Sequence, residues 1–200
     1  MNPLNSIKGT IIAGFVLAVL IALLAPALQG PWTTALLIWF HVLAGIAWVG
    51  LLYYFNFVQV PALAEAAADE GGPGGAGISK YVAPRALLWF RWAAVVTWLT
   101  GFGYLAHNGQ LGAFALGLAG DTVNAYQMTI GIGAWLGTIM LFNVWVLIWP
   151  NQKKVLGLVQ ATAEEIAAAR RTAFLASRTN TLLSIPMLMS MVGAGHGFFI

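Results

Sequence analysis

The sequence predicts an all-α integral membrane protein, a bundle of about five transmembrane helices with the N-terminus in the cytoplasm and the C-terminus outside. Hydrophobic residues make up 60% of the chain and charged residues only 8%, whereas soluble domains carry roughly 25% charged residues. A water-soluble core cannot hide that much apolar surface. The nine Lys and Arg residues border apolar runs instead of forming one basic face, so nucleic acid is not an expected partner. The expected surroundings are a lipid bilayer.

The apolar runs give the predicted spans directly. About 20 residues at 1.5 Å per residue cross roughly 30 Å of hydrocarbon. Five runs of this kind occur, and we expect them to form one transmembrane domain over residues 1–200. The predicted spans cover about 9–28, 33–57, 86–106, 126–149 and 181–199.

The distribution of basic residues predicts the orientation, because cytoplasmic loops carry the excess of Lys and Arg. Lys8 precedes the first span, and Lys80, Arg85 and Arg91 lie at or just inside the turn between spans two and three. The others lie between spans four and five, namely Lys153, Lys154, Arg170, Arg171 and Arg178. All therefore fall on one side. The interpretation is a multi-pass protein of the bacterial inner (cytoplasmic) membrane.

The connections differ in character. Residues 62–79 are rich in glycine and are expected to form a flexible cytoplasmic loop. Thr162 and Glu165 form the pattern of a capping box, which predicts a surface helix over 163–176 along the inner membrane face. Residues 108–125 suit either a lid or a re-entrant helix. No internal repeat is evident, and the lack of an inverted repeat argues against a transporter.

The three histidines are the main candidates for a cofactor site. The chain has no cysteine, which excludes a thiolate metal site and a covalently attached c-type haem. His41, His107 and His196 all fall toward the outer leaflet. An ionisable group well inside a span is costly and marks a functional candidate, so His41 and His196 are predicted to ligate a noncovalent haem b. His107 is expected to be an interfacial polar residue.

Small and aromatic residues accompany the two predicted ligands. Gly45 and Trp48 share the helical face of His41, and Gly193 lies one turn before His196. Gly45, Trp48 and Gly193 are therefore predicted cofactor-binding residues. Small residues equally allow close helix packing, so both interpretations stay open.

A second polar group lies toward the inner side of the spans. Arg91, Asn143 and Asn180 are each within or beside a predicted span and need a partner there. They suit either a substrate site or hydrogen bonds between helices. The pattern does not identify a catalytic residue.

Four segments carry a resemblance to a known family. They are HVLAGIAWVGLLYYFNFVQVP, GGPGGAGISKYVAPRALLWFRW, GIGAWLGTIMLFNVWVLIWPNQKKVLG and ASRTNTLLSIPML. Together they resemble the membrane portion of the bacterial urate hydroxylase family of the PuuD type, from about residue 41 to 189. The first segment also resembles, over a shorter stretch, the HemJ-type membrane protoporphyrinogen oxidases, which hold haem b between helices.

The resemblance implies urate oxidation coupled to a c-type cytochrome. Many members carry that cytochrome as a C-terminal domain, which the 200 residues here do not include, so electrons are expected to pass to a separate periplasmic c-type cytochrome or a respiratory complex. The alternative is a noncatalytic haem-carrying or structural subunit of a larger electron-transfer complex. Both hypotheses are compatible with a homo-oligomer.

Overall fold

A computed structural model describes residues 2–24 and 32–197, and all regular structure in these ranges is helical. The predicted all-α fold class is therefore confirmed. By contacts within the chain, residues 1–36 and 37–200 separate into two compact units.

The first unit contains α1 (Ile7–Leu24), which follows a short 3₁₀ turn, Pro3–Asn5. The side chain of Asn2 caps this turn by accepting a hydrogen bond from the Leu4 N–H at 2.9 Å. No residue of α1 is buried. A helix that is apolar all round is suited to lipid contact. Residues 25–28 of the predicted first span lie outside the described residues.

The remaining helices follow in chain order. A continuous helix comprises α2 (Trp32–Tyr54), a π-helical segment (Phe55–Gln59) and α3 (Val60–Ala68). A second π segment (Ile78–Val82) leads into α4 (Ala83–His107), and a 3₁₀ turn (Leu111–Ala115) follows. Another continuous helix comprises α5 (Ala125–Phe142), a third π segment (Asn143–Ile148) and α6 (Trp149–Val155). The last described helix is α7 (Ala163–His196).

Three of the described helices are long and apolar enough to cross a membrane by length and composition, namely Ile7–Leu24, Trp32–Ala68 and Ala125–Val155. They contain the first, second and fourth predicted spans within the described ranges. The third predicted span and residues 181–196 of the fifth lie in α4 and α7, with 25 and 34 residues; residues 198 and 199 lie outside the described residues. Both are long enough to cross about 30 Å, but they are less apolar than the three helices above. That they cross the membrane stays a prediction.

Two predicted connections contain more helix than expected. Residues 62–68 continue the helix from α2, because this stretch is rich in alanine, the strongest helix former. The turn is confined to residues 69–75, where Gly71 and Gly74 adopt positive φ angles. The predicted surface helix over 163–176 is not separate, because α7 continues without interruption into the fifth predicted span. No glycine or proline stands between residues 163 and 185 to end it.

Each of the three π-helical segments lies just before a proline. Proline lacks an N–H and its ring crowds the carbonyl four residues earlier. In each case that carbonyl lies inside the π segment, where the wider hydrogen-bond register accommodates it. The segments are Phe55–Gln59 before Pro61, Ile78–Val82 before Pro84, and Asn143–Ile148 before Pro150.

In the second unit, residues 37–54 of α2 form a ring with α4, α5 and α7 in which each helix contacts two antiparallel neighbours. Hydrogen bonds join three of the pairs: Tyr53 to Ser184 for α2 and α7, Trp98 to Thr138 for α4 and α5, and His41 to Thr97 for α2 and α4. Gly133 of α5 lies against α7, where an added Cβ would be 3.2 Å from Met191. Trp48, Leu52, Phe90, Met140 and Val144 are buried inside this ring. The arrangement is an up-and-down helix bundle.

The two halves of this bundle repeat one sequence pattern, so the expectation of no internal repeat is wrong. Five residues of the first half recur 87 positions later: Ala47, Trp48, Gly50, Phe55 and Asn56 correspond to Ala134, Trp135, Gly137, Phe142 and Asn143. Each half runs through a long helix, a π segment, a proline and a short helix before a long helix returns. Because α2 and α5 run in the same direction, the repeat is parallel and not inverted.

The start of α7 depends on a capping box that responds to pH. The Thr162 N–H donates to Glu165 Oε2 at 2.8 Å, and the Glu165 N–H donates to Thr162 Oγ1 at 3.2 Å. The hydrogen bond from the Thr162 backbone and the nearby Lys154 ammonium lower the pKa of the Glu165 carboxyl. A lowered pKa means that this contribution is present above the usual carboxyl pKa of about 4.3 and is lost as pH falls through the folded value.

We therefore expect amide exchange in the first turn of α7 to accelerate at acidic pH. Glu165→Gln should keep an acceptor for the Thr162 N–H and remove most of this pH dependence. Hydrogen exchange followed by mass spectrometry on the peptide covering residues 160–170 measures it. An unchanged acid response in Glu165→Gln would assign the effect to another group.

Candidate functional site

His41 lies on the inward face of α2, half-buried against α4. Its Nδ1 is 2.8 Å from the Thr97 carbonyl oxygen. A carbonyl only accepts hydrogen bonds, so Nδ1 carries the proton and donates it to Thr97. In the neutral imidazole this leaves Nε2 with a free lone pair. Metal-ligating histidines typically donate their other ring N–H to a carbonyl in this way.

Two glycines surround this imidazole. At Gly101, an added Cβ would lie 2.8 Å from both Cε1 and Nδ1 of His41. At Gly45, one turn below His41 on α2, an added Cβ would lie 3.7 Å from Thr97 Cγ2, which is ordinary contact. Gly101 therefore makes the space that the imidazole occupies. Gly45 leaves modest space on the same face, and its role in cofactor binding stays a prediction.

His196 and His107 both lie at helix ends and are exposed. His107 is the last residue of α4 and His196 the last of α7. The Nδ1 of His196 bonds to the Val192 carbonyl of its own helix at 2.9 Å. Cationic or polar side chains at the C-terminal end of a helix interact favourably with the helix dipole. Neither histidine bonds to a neighbouring helix among the described residues, whereas His41 bonds to α4.

The helix register nevertheless places His196 at the height of His41. Tyr53 Oη and Ser184 Oγ are 2.9 Å apart. His41 stands twelve residues before Tyr53, and His196 twelve residues after Ser184. At 1.5 Å per residue, both histidines are about 18 Å along their helices from that bond. On α7, however, the buried positions at this end are Gly193 and Ala194, so the structure does not bring His196 to the inward face that His41 occupies. Their pairing as ligands stays a prediction.

Trp48 lies in the centre of the bundle with 2% of its surface exposed. Its indole N–H has no hydrogen-bond partner among the described residues. A buried polar group without a partner is uncommon and calls for a ligand, a water or a functional explanation. The predicted role of Trp48 in cofactor binding is compatible with this burial.

Asn143 and Asn180 form the predicted interhelical pair. The Asn143 Nδ2 donates to Asn180 Oδ1 at 2.8 Å, and Asn180 Nδ2 donates to the Met140 carbonyl at 3.0 Å. In the π segment that follows α2, Asn56 Nδ2 bonds to the Leu52 carbonyl and to Ser177 Oγ at 2.9 and 2.8 Å. The Asn143–Asn180 and Asn56–Ser177 bonds join neighbouring helices, as polar residues in membrane bundles do.

Arg91 does not join the asparagine pair by any hydrogen bond that the described residues contain. Its guanidinium carbon lies 3.8 Å from the centre of the Trp149 ring. This is a cation–π contact, worth about 0.5–2 kcal/mol depending on desolvation. Arg91 thereby has the partner that its position in α4 requires, and it connects α4 to the start of α6.

We expect Asn180→Ala to destabilise the bundle by about 1–3 kcal/mol, because it leaves Asn143 Nδ2 without its partner and removes the bond from Asn180 to the Met140 carbonyl. Asn180 is fully buried. Asn151→Ala is the matched control, since Asn151 bonds only to the Leu147 carbonyl of its own helix, and it should cost less. Thermal unfolding in detergent compares the two. Equal losses of stability in the two variants would show that the interhelical bonds of Asn180 are not the cause of the destabilisation.

Among the described residues, no group of three or more His, Asp or Glu side chains is placed to hold a metal ion. A site at His41 would therefore depend on a cofactor that brings most of its own ligands, as a porphyrin does. The sequence identified His41, but it did not identify Thr97 or Gly101 as the residues that hold it. Their only visible signal was the glycine in the C-terminal half of α4.

A family model described as "Urate oxidase N-terminal" matches the chain twice, over residues 27–113 and 110–199. The two matches meet between α4 and α5, where the structural repeat divides, and together they cover most of the chain. The chain belongs to this family. The predicted resemblance to the urate hydroxylase membrane domain is thereby confirmed. Comparison with curated proteins and with solved structures gave no match.

Proposed function

We propose that this member of the urate oxidase N-terminal family is a membrane haem b protein that takes electrons from urate or a related substrate and passes them to a separate periplasmic c-type cytochrome. The observation that carries the proposal is the His41 imidazole, fixed by Thr97 with Nε2 available, inside a chain of this family.

The residues around His41 suit a noncovalent haem. His41 Nε2 would bind the iron, the Thr97 carbonyl would hold the ring orientation, and Gly45 leaves room on the same helix face. The bound haem would supply a one-electron redox centre. Trp48, with its unpartnered indole N–H two turns from His41, closes the site toward the centre of the bundle and limits water entry.

An absorption spectrum of the purified protein tests this proposal. We expect Soret and alpha bands that sharpen on reduction by dithionite, and anaerobic addition of urate should produce the reduced spectrum. Haem that urate does not reduce would favour the noncatalytic subunit of a larger complex. A folded sample of the purified protein without haem bands would reject the haem site.

The proposal also includes insertion in the bacterial inner membrane with the basic side in the cytoplasm. We expect a cysteine introduced at Gly74 to resist an impermeant thiol reagent in intact cells, and one at Gln110 to react. Both variants start from a chain with no native cysteine. Labelling at Gly74 but not at Gln110 would reverse the orientation.

A further inference from the structure

The niche on α4 that receives the His41 imidazole has a specific architecture. We propose that Thr97 and Gly101 are a positioning pair, which fixes the His41 imidazole with its Nδ1 proton on the Thr97 carbonyl and its Nε2 lone pair free to bind a ligand. The consequence for haem rests on the proposed function, whereas the position and tautomer of the imidazole do not.

The acceptor in this pair is a backbone atom. The Thr97 carbonyl receives His41 Nδ1 at 2.8 Å and Thr100 Oγ1 at 3.1 Å. The Thr97 hydroxyl is engaged elsewhere, donating to the Ala93 carbonyl at 2.7 Å. The carbonyl is therefore the group that selects the tautomer, and the threonine side chain is not required for it.

Gly101 makes that carbonyl reachable. In a helix, the side chain four residues later stands beside the carbonyl that its own N–H approaches. A Cβ at position 101 would lie 2.8 Å from two atoms of the His41 ring, a distance that real Cβ contacts do not show. Only a residue without a side chain lets the imidazole approach Thr97 from α2.

The second half of the repeat lacks both parts of the niche. Positions 87 residues after His41 and Gly101 are Met128 and Leu188. The same offset of 87 positions relates Arg91 to Arg178, and it relates the five repeated residues around Trp48 to their copies. Met128 and Leu188 are therefore the equivalents of His41 and Gly101 in the second half. The histidine and the glycine occur together in one half and are both replaced in the other. This pattern is expected if the glycine serves the histidine.

A single substitution tests the pair. Gly101→Ala should push the imidazole away from Thr97 while the helices stay in place, because the clashing atoms belong to a side chain that can rotate. Gly103→Ala is the matched control on α4, since its added Cβ would meet only the flexible Leu37 side chain at 3.2 Å. Thr97→Val removes the hydroxyl and keeps the carbonyl, so it should leave the tautomer unchanged.

The first readout is nitrogen-15 NMR of histidine-labelled protein in detergent, with zinc protoporphyrin in place of haem or with no porphyrin. His107→Ala and His196→Ala assign the His41 signals. We expect a protonated Nδ1 in the original protein, in Gly103→Ala and in Thr97→Val, and its loss in Gly101→Ala. The second readout is haem titration. Loss of the hydrogen bond from His41 Nδ1 to the Thr97 carbonyl should weaken haem affinity about 10- to 100-fold.

The outcomes separate the two proposals. A folded Gly101→Ala protein that keeps the Nδ1 proton of His41 overturns the positioning role, whatever its haem content. If the original protein binds no haem but shows the tautomer and its loss in Gly101→Ala, the positioning role stands and the proposed function fails. Gly101→Ala with a melting temperature equal to that of Gly103→Ala shows that the change is local.

Discussion

Replacing His41 by alanine is expected to abolish stoichiometric haem binding. The substitution removes the inward-facing imidazole on α2, and no other histidine lies on that face in the described ranges. The ratio of Soret to protein absorbance after purification measures the loss. Imidazole added to the His41→Gly variant should restore part of the band, because the glycine leaves space beside Gly101 for a free ligand.

The other two histidines provide the controls and decide the second ligand. If His196 is the second axial ligand, His196→Ala should convert a six-coordinate low-spin spectrum into a high-spin one, partly rescued by water because the residue is exposed. His107→Ala should change little. A low-spin signal lost in His107→Ala and kept in His196→Ala would place the second ligand on α4. Full haem content in His41→Ala would show that α2 does not supply a haem ligand.

The helices were largely predictable, because twenty consecutive apolar residues have few alternatives to a membrane helix. The wrong predictions concern the connections. The glycines of 71–77 suggested a loop over the whole connection, although residues 62–68 are rich in alanine, which favours a helix. The polar stretch of 170–180 likewise suggested a break in α7 that does not occur. Composition indicates polarity there, but polarity alone does not end a helix, and residues 170–180 contain no glycine or proline.

The site was predictable only in part, for a physical reason. His41 is recognisable because an ionisable residue inside an apolar run is unusual. Its partner is the backbone carbonyl of Thr97, 56 positions along the chain, and a carbonyl has no sequence signature. The Asn143–Asn180 pair was suggested by two buried amides, but the choice between substrate site and interhelical bond needed their mutual distance. The repeat was not predicted because its matching residues are interspersed with unmatched apolar ones.

The second large effect is expected at Gly131, where α5 meets the connection that follows α4. An added Cβ at this position would lie 2.1 Å from the Ala113 carbonyl oxygen. Ala113 is fully buried in the 3₁₀ turn Leu111–Ala115, so the added Cβ would clash with a backbone oxygen, which cannot rotate away as a side chain can. Gly131→Ala should therefore displace this turn from α5.

Gly137→Ala separates that clash from the effect of an added methyl group in general. Gly137 stands six residues later on the same helix and is also buried, but an added Cβ there meets no atom within 4 Å. Alanine in place of glycine favours a helix by about 0.8–1 kcal/mol, so Gly137→Ala should raise the melting temperature. Gly131→Ala gains the same propensity but should lose about 1–3 kcal/mol or more to overpacking. Thermal unfolding of both variants in one detergent should move the two midpoints in opposite directions. A shift of both in the same direction would show that the 3₁₀ turn does not hold Ala113 against α5.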